Sequence, residues 1–128
     1  MYGFSVTLQG KFDDTVARVT EELKKEGFGM LTDIDVQATL KNKLGVEHGP
    51  YRILGACNPP LAHRALEADP DIGLLLPCNV VVREEEDGSI TVSFMDPEAV
   101  LDLVNKPEVS ELGRLVKAKL QRVRDALH

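Results

Sequence analysis

Val80-Val81-Val82-Arg83-Glu84-Glu85-Glu86-Asp87-Gly88-Ser89-Ile90-Thr91-Val92-Ser93-Phe94-Met95 is the stretch that decides the fold class. Two strand-like runs, Val80 to Glu85 and Ile90 to Met95, flank Asp87-Gly88, a strong hairpin signal. A hairpin means antiparallel pairing, which a chain of pure strand-helix-strand units lacks.

Toward the N-terminus, Phe4, Val6 and Leu8 alternate with Ser5, Thr7 and Gln9, the period of a half-buried strand. Asp13 or Asp14 can cap a helix with the stripe Phe12, Val16, Val19 and Leu23, stopped by Gly27. Phe28 to Ile34 reads as a second strand. Asp35 then caps a short helix with the stripe Val36, Leu40 and Leu44, closed by Gly45. A turn through Glu47-His48-Gly49-Pro50 leads into a third strand, Tyr51 to Cys57. Pro59 and Pro60 suit the first turn of a helix running to Ala68, because a missing N–H costs little there. Ile72 to Pro77 is apolar but interrupted by Gly73 and Pro77, and reads as a buried connection. Beyond the hairpin, Asp96-Pro97 opens a short helix through Val104. After Pro107 comes a long helix with the stripe Leu112, Val116, Leu120, Val123 and Leu127, widened by Val109 and Leu115. This order predicts one α+β domain over residues 1–128, with a mainly antiparallel sheet of about five strands and helices on one face.

At 128 residues the chain is long enough to bury a core without disulfides or metals. A net charge of −6 argues against a general nucleic-acid binder, which needs a basic footprint. No apolar run approaches the roughly 20 residues that span a bilayer, and no signal peptide is seen, so neither nucleic acid nor membrane is an expected partner. A cytoplasmic location follows as the default expectation, and there two cysteines stay mostly reduced. From Arg83 to Asp102 there are seven acids against one base, which reads as a solvated hairpin that discourages edge pairing. Gly-x-Gly-x-x-Gly, the P-loop pattern and Gly-x-Ser-x-Gly are all missing, so dinucleotide, nucleoside-triphosphate and serine-hydrolase chemistry lack support. No cofactor is implied, and without a recognisable acid–base set the balance leans away from an enzyme.

What stands out is two Cys-Asn pairs, Ala56-Cys57-Asn58-Pro59-Pro60 and Leu76-Pro77-Cys78-Asn79-Val80. If the third and fourth strands are antiparallel neighbours, Cys57 comes close to Cys78. Three environments are open to them. They are buried filler, as free Cys often is, with Asn58 capping the following helix. Alternatively they line a ligand pocket, with Cys57, Asn58, Cys78 and Asn79 as the candidate site and the helix N-terminus lowering the Cys57 pKa. As a third option, Cys57, His63 and Cys78 form a metal site or a thiol-based redox or sensor site. Asp33 and Asp35 form a weaker carboxylate pair, with capping by Asp35 the simpler account.

These two motifs, together with Gly27-Phe28, Asp33-Ile34-Asp35-Val36, Lys43-Leu44-Gly45 and Tyr51-Arg52-Ile53-Leu54-Gly55, make the chain resemble the domain-of-unknown-function 302 family. The resemblance runs from about Phe4 to Leu127. It implies an α+β fold like that of TATA-binding-protein-like sheets, and a homodimer. It implies no established activity and no catalytic residues. Joined to the motif reading, it gives a binding or accessory module for a small molecule or partner, with a purely structural role as the other possibility.

Overall fold

The computed structural model describes residues 2–128. Its strands are β1 (Gly3–Leu8), β2 (Gly29–Asp35), β3 (Tyr51–Cys57), β4 (Cys78–Glu84) and β5 (Ile90–Met95). They form one sheet in the order β1-β5-β4-β3-β2, antiparallel at every step. Five helices complete the α+β fold: α1 (Phe12–Lys25), α2 (Val36–Leu44), α3 (Pro59–Ala68), α4 (Pro97–Leu101) and α5 (Pro107–Ala126). Short 3-10 helices cover Pro70–Leu75 and Asp102–Val104. No helix among the described residues is long and apolar enough to cross a membrane.

The deciding hairpin is present, with Glu84 opposite Ile90. Its loop is longer than a two-residue turn. The Gly88 N–H donates to the Glu85 carbonyl and the Glu85 N–H to the Ser89 carbonyl. Only Gly88 is left-handed, with φ 86°. That is the pattern of a turn followed by a glycine bulge, and it needs glycine at one position only. Asp87 braces the loop by accepting from the Ser89 hydroxyl and amide, which hold its carboxyl below the usual range.

Strand alternation sorts the core. Leu54, Ala56, Cys78, Val80, Val82, Ile90, Val92 and Phe94 point to one face, where Val16, Val19 and Leu23 of α1 and Val116, Leu120 and Val123 of α5 cover them. A second cluster of Ala65, Ile72, Leu101, Val109 and Leu112 joins α3, α4 and α5 beyond the sheet. A Cβ added at Gly113 would stand 2.9 Å from the Pro97 carbonyl oxygen, so α5 meets α4 backbone to backbone at this point. Asp96 caps α4 by accepting from Glu98 and Ala99 amides and pairs with Lys117 at 2.9 Å. Burial alone would raise its pKa, but Lys117 and the two amides outweigh burial and hold it down.

The opposite face is made by Gly3, Ser5 and Thr7, Tyr51, Ile53 and Gly55, Asn79, Val81 and Arg83, and Thr91, Ser93 and Met95; of these only Met95, at the end of β5, also packs against a helix-covered core cluster. Arg83 is its only charged side chain across β1, β3, β4 and β5.

Several expectations need correction. The cap position of α1 is Lys11, with Asp13 and Asp14 inside the first turn, where they face the helix dipole instead. No residue of the α2 stripe is fully buried: the helix meets the chain mainly along β3, which leaves Val36 and Leu40 half-buried and Leu44 exposed. Ile72 is buried but Leu74 is 86% exposed, since a 3-10 turn rotates them to opposite sides. Leu115 lies off the α5 stripe and is exposed. The short helix before α5 is α-helical only to Leu101.

Candidate functional site

Antiparallel pairing of β3 with β4 sets Ala56 opposite Cys78 and Gly55 opposite Asn79. Cys57 is therefore one residue past the pair partner of Cys78, at the same end of the β3–β4 strand pair. Both thiols are free. Cys78 points to the helix face and is 7% exposed, and burial, with a smaller contribution from Cys57, pushes its pKa up to about 12. Cys57 is partly exposed, and burial raises its pKa as well. The lowering of Cys57 expected from the α3 N-terminus is not found; burial shifts the thiol the other way. A thiolate is disfavoured at both positions.

Asn58 caps α3, accepting from the Leu61 amide at 3.4 Å, while its Nδ2 donates to the Glu26 carbonyl at the end of α1. Both halves of its amide are engaged in holding helix ends. Cys57, Asn58 and Cys78 border one small apolar cavity with Phe28, Leu61 and Pro77. Its volume is about 30 Å³. That is space for one or two waters, far short of the roughly 300 Å³ at which small-molecule sites begin.

The fourth candidate, Asn79, stands elsewhere. It follows Cys78 directly on β4, so the pleat turns it to the open face. His63 is also apart: it lies exposed on α3 with Nε2 3.0 Å from Glu67 Oε1, and it does not border the cavity. The proposed set Cys57, His63 and Cys78 is not assembled, and among the described residues no three His, Cys, Asp or Glu gather in a way that would hold a metal ion. Asp33 and Asp35 have separate structural partners. Asp33 accepts a two-pronged contact from Arg52, which lowers its pKa, and Asp35 caps α2 through the Ala38 amide at 2.9 Å.

The feature that motif reading missed is on the open face. There a concavity of about 700 Å³ runs over β1, β5, β4 and the start of β3, bordered by Tyr2, Ser5, Tyr51, Asn79, Val81, Arg83, Ser93 and Met95. The usable signal was the parity of these strands: small or neutral polar side chains alternate with the core residues, and charge is nearly excluded. Arg83 Nε donates to Glu85 at 2.9 Å, and the Tyr51 ring meets His48 edge to face at 5.8 Å.

With this geometry in hand, residues 4–127 match the family model described as Domain of unknown function DUF302. The chain belongs to the DUF302 family. A crystal structure of an uncharacterized conserved DUF302 protein from Bacillus stearothermophilus resembles it with a TM-score of 0.92 at 30% sequence identity, covering 100% of this chain and 99% of that one. No curated protein matches the chain. DUF302 membership accounts for the shared architecture and assigns no activity, so function has to be argued from the sites.

Proposed function

We propose that this chain is a binding module, not a self-sufficient enzyme, and that its small-molecule ligand seats on the open face of the sheet. The observation carrying this is the concavity of about 700 Å³, within the range of small-molecule sites, on a face with a single charged side chain. The Cys-Asn motifs contribute through Asn79, while Cys57, Asn58 and Cys78 hold the β3–α3 corner together. Nile red, a neutral dye, tests the location by fluorescence titration. Ser93→Trp fills the trough and weakens binding at least about tenfold, while Cys57→Ala leaves it unchanged. Undiminished binding by a folded Ser93→Trp variant would sink the proposal.

The same module works as a homodimer in this reading, favoured by α2. Leu44 is 69% exposed and no residue of the helix is buried. The occupant is a second copy. Asp35 caps the helix and Lys41 and Lys43 lie in its last turn, so a two-fold axis setting α2 antiparallel to its copy brings the basic end of each toward the capping Asp35 of the other. Sedimentation equilibrium at micromolar concentration gives a dimer for the native chain and a monomer for Leu44→Glu. A monomeric native chain would refute the pairing.

A further inference from the structure

We infer that the open-face trough takes an elongated small carboxylate with an apolar body. The inference rests on the open face being the ligand site. Arg83 is the one charge in the trough. Its Nε is committed to Glu85, and among the described residues its other guanidinium N–H groups have no hydrogen-bond partner. A guanidinium carries five N–H donors in a rigid fork, so the terminal pair is free to take both oxygens of a carboxylate. Glu85 fixes the plane of that fork. The Arg83–Glu85 pair is over one-third exposed on both sides, so it is weak and does not close the fork to a competing anion.

The trough's shape sets the rest of the ligand. Asn79 and Arg83 stand four residues apart on the same face of β4, about 13 Å at roughly 3.3 Å per residue. They mark two ends of the trough and cannot grip the same small group. Between them lies Val81, with Ser93 beside it on β5. An apolar chain of several carbons therefore fits over Val81, its acid at Arg83 and its far end at Asn79. A phosphate is the poorer match. Phosphate sites draw on unpaired backbone N–H groups at helix N-termini or nests, whereas β4 lies between two strands and spends its N–H groups on both ladders.

Octanoate and its neutral counterpart octanamide serve as probes, with binding read from amide chemical shifts in the native chain, Arg83→Gln and Arg83→Lys. Both probes shift the Val81, Arg83 and Ser93 amides, and octanoate binds at least about tenfold more tightly, since charge-assisted bidentate bonds are the stronger kind. Arg83→Gln brings octanoate down to octanamide and leaves octanamide unchanged. Arg83→Lys keeps part of the preference. Equal binding of the two probes by the native chain, or a preference that survives Arg83→Gln, overturns the carboxylate while leaving the open-face site standing. Failure of both probes to shift those amides overturns the site as well.

Discussion

In the native protein at neutral pH, one thiol titrates with a disulfide reagent and the other does not. The reactive one is Cys57, at the partly exposed corner of β3 and α3, and the silent one is Cys78. A pKa displaced from 9.0 to about 12 leaves Cys78 with roughly a thousandfold less thiolate than an ordinary thiol, before its poor accessibility is counted. The same displacement has a stability consequence. The folded state keeps the Cys78 proton where the unfolded state releases it, so the contribution is full below about pH 9 and is lost as pH rises toward about 12. Denaturant titrations from neutral pH upward therefore show a steeper alkaline loss of stability in the native chain than in Cys78→Ala. The variant is weaker at neutral pH, because a packed sulfur has been removed, but its alkaline slope is shallower. Labelling of Cys78 as fast as Cys57 would mean the corner is open, and thiol chemistry would again be the leading account of the motif.

Much of the architecture was legible because one kind of signal recurs. Asp87-Gly88 gave the hairpin, Tyr51 to Cys57 gave β3, and the stripe Leu112, Val116, Leu120 and Val123 gave the buried side of α5. Periodicity says which side of an element is apolar. It does not say whether anything covers that side. The stripe of α1 meets the sheet and is buried, whereas that of α2 is equally regular but touches mainly β3, so Val36 and Leu40 are only half-buried and Leu44 is exposed. Local geometry was similarly underdetermined: Ile72 and Leu74 are both apolar, and only the 3-10 path decides that one enters the core and the other faces solvent.

The candidate site divided along the same line. Adjacency of Cys57 and Cys78 follows from the antiparallel order alone, and Asn58 before two prolines announces its cap. Parity was equally available, since Asn79 cannot share a face with Cys78 on one strand. What single residues do not encode is volume. The closeness of packing at the corner comes from Phe28, Leu61 and Val116, contributed by three separate parts of the chain. The trough is likewise a property of several strands at once, with no motif to mark it.

Phe94→Ala lowers stability by about 3–5 kcal/mol, near the top of that range. The side chain is 1% exposed, in the middle of the sheet's helix face, between Phe4 on β1 and Val80 on β4. Its ring stacks on Phe4 with centroids 5.4 Å apart, and the Arg124 guanidinium lies 5.2 Å from the Phe4 centroid, so β1, β5 and the end of α5 are joined through this pair. Alanine removes the ring, leaves a cavity that packed neighbours on β4 and α5 fill only partly, and forfeits the aromatic contact, itself about 0.5–1.5 kcal/mol. Against a total of about 5–15 kcal/mol for a domain, that is a large share. The denaturation midpoint drops with little change in slope, and Tm falls by more than about 10 °C. Leu74→Ala, at a site 86% exposed, stays within about 0.5 kcal/mol and controls for simple loss of a large apolar side chain. Equal effects at the two positions would show that the β1–β5 edge is not packed against the core. The open face would then lose the rigid support on which its ligand site depends.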